Sequence, residues 1–475
     1  MLAMSVEHGS SASDRLRVAY LAAGAAGMYC GSCLRDNRVA ASLLSMGRDV
    51  VLIPLYTPLT TDERDVSREP IYYGGINVFL QQRFRLFRAL PGWLGRVLDT
   101  PAILRRVVRW SSEVKPEDLG ALTVSVLRGE HGAQRRELQK LIDGLRVIRP
   151  DIVHLPNLPF LGVARAIKAA LRVPVVCTLS GEDIFLDALQ EPYRTTAFDL
   201  IREAAAQVDA FVAVTRYYAG HAAGHFSLPG DRIHVVPMGV RVEDFEGEPM
   251  ASNEPFNIGC LARICPAKGL HQLCEAVVRL RTGQTARGVD SARADTGESM
   301  PLAGTGRQAA GGAPARDCRV LAAGHLSPAD RPYLERIKTD LARAGHADAL
   351  HYLGEVSREE KVRLLRSIQV LSVPTVYHEA KGLYVLEALA AGVPVVQPNH
   401  GSFPELIEAT GGGLLYDPTG KDPVGALAEA IARLMDDPGE RRRLGERGRS
   451  VVRARFSDRI MAEETWRVYE RLCRA

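Results

Sequence analysis

No stretch of this 475-residue chain reaches the ~20 consecutive apolar residues of a membrane-spanning helix, so no such helix is expected. Cysteine is scarce. Eight in the whole chain do not make a disulfide framework, and reduced thiols in a cytosolic setting are expected. Neither charge sign dominates: 60 Lys and Arg against 56 Asp and Glu leave a net charge of +4, which does not argue for a nucleic-acid partner. The opening residues, 1–15, are polar and lack the apolar core of a signal peptide. They read as a disordered lead-in, and the protein is expected in the cytoplasm.

What is present is an ordinary globular balance, 46% hydrophobic and 24% charged, at a length that calls for two domains. Residues 17–23 form a nearly continuous apolar run, the mark of a strand buried on both faces of a parallel sheet. A Gly-rich turn follows (Gly24, Gly27, Gly31), then a helical pattern over 32–46 that Gly47 stops, then a strand over 49–55. After an irregular stretch the cycle resumes with strands at 152–155, 173–178, 210–214 and 233–236 and a helix near 163–171. The composition turns polar at 247–254, where a domain boundary is placed, and strands restart at 256–262, 319–323, 350–353, 370–373 and 393–396. The expected fold class is α/β, with two Rossmann-like doubly wound domains, 16–246 and 254–457, facing across a cleft. Residues 284–317, rich in small and polar types, read as an exposed insertion. The amphipathic stretch 458–475 is expected to pack back on the first domain.

Arg263 and Lys268 lie just after the first strand of the second domain, and the turn at Gly269 then opens a helix. Two cations and a helix N-terminus at a strand end suit an anion of diphosphate charge. Farther on, Glu379 and Glu387 flank Gly382, which starts another helix. The N–H groups of Gly382, Leu383 and Tyr384 are candidates to grip phosphate, and glycine lets a phosphate approach the backbone. A carboxylate accepts from two vicinal hydroxyls, so Glu387 suits a ribose and Glu379 a sugar ring.

At these residues the sequence resembles the family 4 glycosyltransferases of GT-B fold. Arg263 and Lys268 have four residues between them and Glu379 and Glu387 have seven, as in that family. Softer matches are Pro150 to His154, Val236 to Val240 and Gly401 to Glu405. The resemblance spans about 17–472. It implies retaining transfer of a sugar from a nucleotide donor to an unidentified glycan, lipid or small-molecule acceptor. Arg263 and Lys268 would neutralise the diphosphate, Glu387 hold the ribose, Glu379 the sugar, and the backbone of Gly354 to Val356 the base. Candidates on the acceptor side are Gly31, Ser180 and Asp183, together with His154, which ends a strand and could face the acceptor, although a structural role is the preferred reading of such a histidine. Ser180 is a departure, because many members carry His there, in Thr178-Leu179-Ser180-Gly181-Glu182-Asp183. No Asp-x-Asp occurs, so neither a metal nor another cofactor is expected. A non-catalytic nucleotide-sugar-binding protein and a nucleotide-sugar isomerase stand as alternatives.

Two weaker features remain. Cys30 and Cys33 form a CxxC on the Gly-rich loop, read as small residues on a tight turn before a redox or metal pair with Cys265. Residues 83–110 hold seven Arg and one acid among apolar side chains. Core-packed helices with Arg on the wet face are the preferred reading, and a peripheral membrane-surface patch is the other.

Overall fold

The computed structural model describes residues 16–24, 31–59, 61, 63–68, 116–247, 255–284 and 314–474. The lead-in 1–15, Cys30, the Arg-rich stretch 83–110 and most of the expected insertion lie outside these. Two units result: one of residues up to Met238 together with Asp458 onward, the other Gly239–Ser457. Among the described residues no helix is long and apolar enough to cross a membrane.

The first unit holds β1 (Arg17–Ala22), β2 (Asp49–Pro54), β3 (Ile152–Leu155), β4 (Val175–Leu179), β5 (Ala210–Ala213) and β6 (Ile233–Val235). All pairings are parallel, in the order β2-β1-β3-β4-β5-β6. Strand order reverses between β1 and β3, so this unit has the flavodoxin-like order rather than the Rossmann one. The core explains the apolar runs: Val18, Tyr20, Val50, Leu52, Ile152 and Val176 are all buried. β4 begins two residues later than the expected 173, because Pro174 has no N–H to donate to the ladder. The irregular stretch contains helices Pro116–Leu127 and Arg135–Ile148, the second with Leu138, Leu141, Ile142 and Leu145 on its buried stripe. The helix Asp458–Arg474 packs on the helix Gly31–Ser45, and its Trp466 and Tyr469 enter the first unit's core.

The second unit holds β7 (Phe256–Leu261), β8 (Cys318–Ala323), β9 (Leu350–Tyr352), β10 (Val370–Leu371), β11 (Val395–Pro398) and β12 (Gly413–Tyr416). The order β12-β11-β10-β7-β8-β9, all parallel, is the Rossmann order with its reversal between β7 and β10. β12 is a strand beyond those read from the sequence. The change of unit precedes the polar stretch 247–254. Val240 N–H donates to Phe456 O at 2.8 Å and Asp244 is ion-paired with Arg358, so residues 239–247 belong with the second unit.

Candidate functional site

Parallel strands bring all their carboxyl ends to one edge of the second sheet. Ligands of such sheets bind at that edge, where the order reverses. β7 ends at Leu261 and delivers Arg263 and Lys268. β10 ends at Leu371 and delivers the loop that holds Glu379. Lys268 and Glu379, 111 residues apart in sequence, therefore meet where topology alone would place a ligand.

Lys268 is positioned by a turn that only glycine closes. Gly269 has φ +72°, caps the helix Leu270–Thr282, and a Cβ there would lie 1.8 Å from Pro374 O. The Lys268 ammonium then donates to Glu379 Oε2 at 2.7 Å and to the Tyr377 hydroxyl, and lies 4.9 Å and 5.4 Å from the ring centres of Tyr377 and Tyr384. The Tyr377 hydroxyl donates in turn to Glu379 Oε2 at 3.0 Å. Glu379 is buried. Burial pushes its carboxyl up, but the Lys268 charge and hydrogen bond outweigh this and hold it at about 2. It is an ionised acceptor at every ordinary pH. Its backbone is clamped as well: Ser402 N–H donates to Glu379 O at 2.7 Å, and Gly401 packs against it where a Cβ would come within 2.6 Å of Glu379 N.

Arg263 is different. It is exposed and makes no hydrogen bond or ion pair among the described residues. A guanidinium with no carboxylate partner beside a neutralised Lys–Glu pair leaves one full positive charge for an anion.

Gly382 caps the helix Leu383–Ala390 with φ +64°. The sequence suggested glycine for close approach of a phosphate. The structure supplies another reason: a Cβ would sit 2.6 Å from Leu406 Cδ1. Leu383 and Tyr384 follow in the first turn, with their N–H groups at the helix start. Glu387, on the buried face of that helix, is paired with Lys361 at 3.0 Å. Gly354 has φ +78° and its carbonyl accepts from Gly324 N–H at 2.9 Å, which holds the 354–356 backbone beside the ends of β8 and β9. Val356 is half-buried there.

The first-unit candidates separate into kinds. His154 is fully buried, stacked 4.3 Å from Tyr20, with one ring nitrogen 2.7 Å from Thr178 Oγ1 and the other 2.6 Å from the Tyr469 hydroxyl. Burial and then the Arg35 charge keep it neutral, well below the usual imidazole range. Both nitrogens are engaged, which fits the structural reading of this strand-end histidine rather than the acceptor-facing one. Ser180 is buried too. Its N–H donates to Glu182 Oε2 at 2.9 Å, and its hydroxyl lies 3.3 Å from Glu182 Oε1 and 3.3 Å from Ser32 Oγ. Asp183 is partly exposed, with Oδ2 3.3 Å from His221 Nε2. Gly31 opens the helix Gly31–Ser45, and a Cβ there meets nothing within 4 Å. Cys33 is buried and its partner Cys30 lies outside the described residues, so the CxxC reading gains nothing.

Tyr377 and Lys361 were missed in the sequence. Tyr377 stands two residues before Glu379, a weak signal. Lys361 sits on the helix Arg358–Ser367, 26 residues before Glu387, with no local signal at all.

Comparison with known proteins matches each unit separately. A family model described as Glycosyl transferases group 1 matches residues 309–451, and one described as Glycosyltransferase Family 4 matches 118–244. Among curated relatives, an MMP alpha-(1->4)-mannosyltransferase of Mycolicibacterium hassiacum is 28% identical over 58% of this chain and 56% of its own. A GDP-mannose-dependent alpha-(1-6)-phosphatidylinositol monomannoside mannosyltransferase of Mycobacterium tuberculosis is 26% identical over 55% of this chain and 61% of its own. The matches thus span less than two thirds of these relatives. Among solved structures, sucrose-phosphate synthase from Thermosynechococcus elongatus aligns over 96% of this chain and 99% of its own, with TM-score 0.65 and 16% identity. Anabaena HepE in complex with UDP aligns over 96% of this chain and 100% of its own, at 0.62 and 15%. These structural likenesses carry the fold.

Proposed function

The chain belongs to the family 4 glycosyltransferases with GT-B fold, and from that premise we propose that it moves a hexose from a nucleotide-diphosphate sugar to an acceptor hydroxyl. The observation that carries the proposal is the meeting of Lys268 and Glu379 at 2.7 Å, with Arg263 free beside them, at the reversal of strand order in the second sheet.

In this reading Arg263 and the remaining donor capacity of Lys268 neutralise the diphosphate. The N–H groups at the start of the helix Leu383–Ala390 add dipoles aimed at the same anion. Glu379 accepts from sugar hydroxyls and Glu387 from the ribose, while Gly354 to Val356 offer backbone to the base. The bond from the sugar's anomeric carbon to the diphosphate oxygen breaks as the bond to the acceptor oxygen forms on the same face. The acceptor's proton passes to the departing phosphate. Configuration is retained, and fixed cations rather than a metal supply the charge; the work is electrostatic and positional. The names of the curated relatives favour transfer over binding alone or isomerisation, and make GDP-mannose the first donor to test beside UDP sugars.

For residues 83–110, contact with an anionic membrane surface is the second reading, beside core-packed helices. Flotation with anionic liposomes at low salt checks it, and no co-flotation would end it. The activity itself is checked by product analysis with a donor panel. Sugar transfer that falls at least about a hundredfold in Arg263→Ala and in Glu379→Ala is expected. Unchanged turnover in both would overturn the assignment, and an altered nucleotide sugar formed without acceptor would point to isomerisation.

A further inference from the structure

Glu379 and Glu387 are each held by a lysine from a different element, and the second lysine has no assigned part. Lys361 and Glu387 are both buried, with Nζ and Oε1 3.0 Å apart. A lysine is rarely buried unless paired. A pair of this kind adds little to stability over apolar side chains of the same volume, so stability alone does not explain two charges here.

Lys361 is also well anchored. Its helix, Arg358–Ser367, starts with a capping box in which Glu360 N–H donates to Ser357 Oγ at 3.2 Å and Ser357 N–H donates to Glu360 Oε2 at 2.8 Å. Lys361 N–H donates to Ser357 O at 2.8 Å, and Arg358 is tied to Asp244. This helix begins immediately after the 354–356 backbone and leads into β10, whereas Glu387 lies on the helix between β10 and β11. Lys361 therefore joins the segment after β9 to the carboxylate beyond β10.

We propose that Lys361 is a positioning residue for nucleotide recognition: its ammonium keeps the buried Glu387 carboxylate charged and oriented to accept both hydroxyls of a ribose. The proposal rests on the donor-site reading above. A carboxylate has about four lone-pair sites, and the Lys361 bond takes one of them, which is compatible with acceptance from a vicinal diol. Without the cation, a carboxylate so deeply buried loses this charge partner and is a poorer acceptor.

The test is calorimetric titration of the full chain with UDP, GDP and ADP, and with the 2′-deoxy form of whichever binds. For Lys361→Met the dissociation constant of the ribonucleotide is expected to rise about tenfold or more, while that of the 2′-deoxynucleotide moves less than about threefold. Lys361→Arg is expected to keep most of the ribose preference. Equal weakening of both nucleotides, or no change in either, overturns the proposal. Circular dichroism confirms folding; if the methionine variant does not fold, Lys361→Gln is read by the same criteria. A wild type that binds none of the three diphosphates sinks the donor-site reading itself. A wild type that binds without ribose preference removes the role of Glu387 and the proposal with it.

Discussion

Arg263 and Lys268 share a loop and a charge, yet the structure gives them separate energetic roles. Arg263 touches nothing that folding needs, so Arg263→Ala is expected to leave stability within about 0.5 kcal/mol while transfer collapses. Comparing thermal unfolding with turnover on one preparation checks this. Lys268→Met is expected to cost on the order of 3 kcal/mol as well as activity, because it leaves buried Glu379 without its cation. The pH dependence has a defined sign. The Glu379 carboxyl is held at about 2, below its ordinary 4.5, by Lys268 acting against burial. A depressed carboxyl stabilises the fold above its unfolded pKa, and that contribution is lost as pH falls from about 4.5 to about 2. In Lys268→Met the buried acid instead gains by protonation. The stability gap between wild type and variant should therefore narrow from pH 7 to pH 3 in urea denaturation, and a constant gap would contradict the pairing.

Elements were legible where physics is local. Buried parallel strands are apolar on both faces, so β1, β2, β3 and β7 stand out in the sequence within a residue or so of their observed ends. Glycines with positive φ, such as Gly47 and Gly269, punctuate the helices as expected. What was not legible depends on partners distant in sequence. Nothing around His154 reveals that Tyr469, 315 residues later, takes one of its nitrogens. The same holds for Lys361 and Glu387, whereas Arg263, Lys268 and the two glutamates were readable because their spacing is local. Two predictions belong here. His154 is held neutral, so the unfolded chain takes up a proton that the folded one refuses. Wild-type stability should then fall below about pH 6.5 by up to about 1.4 kcal/mol per pH unit, and His154→Gln should lack this component in denaturation at pH 7.5 and pH 5. At the Lys268 turn, Gly269→Ala must accept both positive φ and a 1.8 Å approach to Pro374 O, and is expected to cost more than about 1 kcal/mol and to weaken nucleotide binding. Gly31→Ala, which meets nothing, serves as its unperturbed control in thermal unfolding.

At the scale of the molecule, the donor-site residues all belong to the second unit. A nucleoside diphosphate at a hundred times its dissociation constant is expected to stabilise that unit by about 2.7 kcal/mol. Hydrogen exchange should then slow in β7, β8 and β10, while β1 and β3, in the other unit, serve as the reference strands. Equal protection in both sets would show that the nucleotide is not bound as assigned.

The return of the chain to its first unit has a consequence for biosynthesis. Residues 239–457 are translated as one block, but the first unit is complete only when the helix Asp458–Arg474 has been made. Until then His154 lacks Tyr469, and the helix Gly31–Ser45 lacks the neighbour it packs on. Domains ordinarily mature in the order they are synthesised. Here the nucleotide-binding half can reach its final form while the half begun earlier still waits on a nascent segment, and a message cut short after residue 457 would yield a donor unit tethered to an unfinished partner.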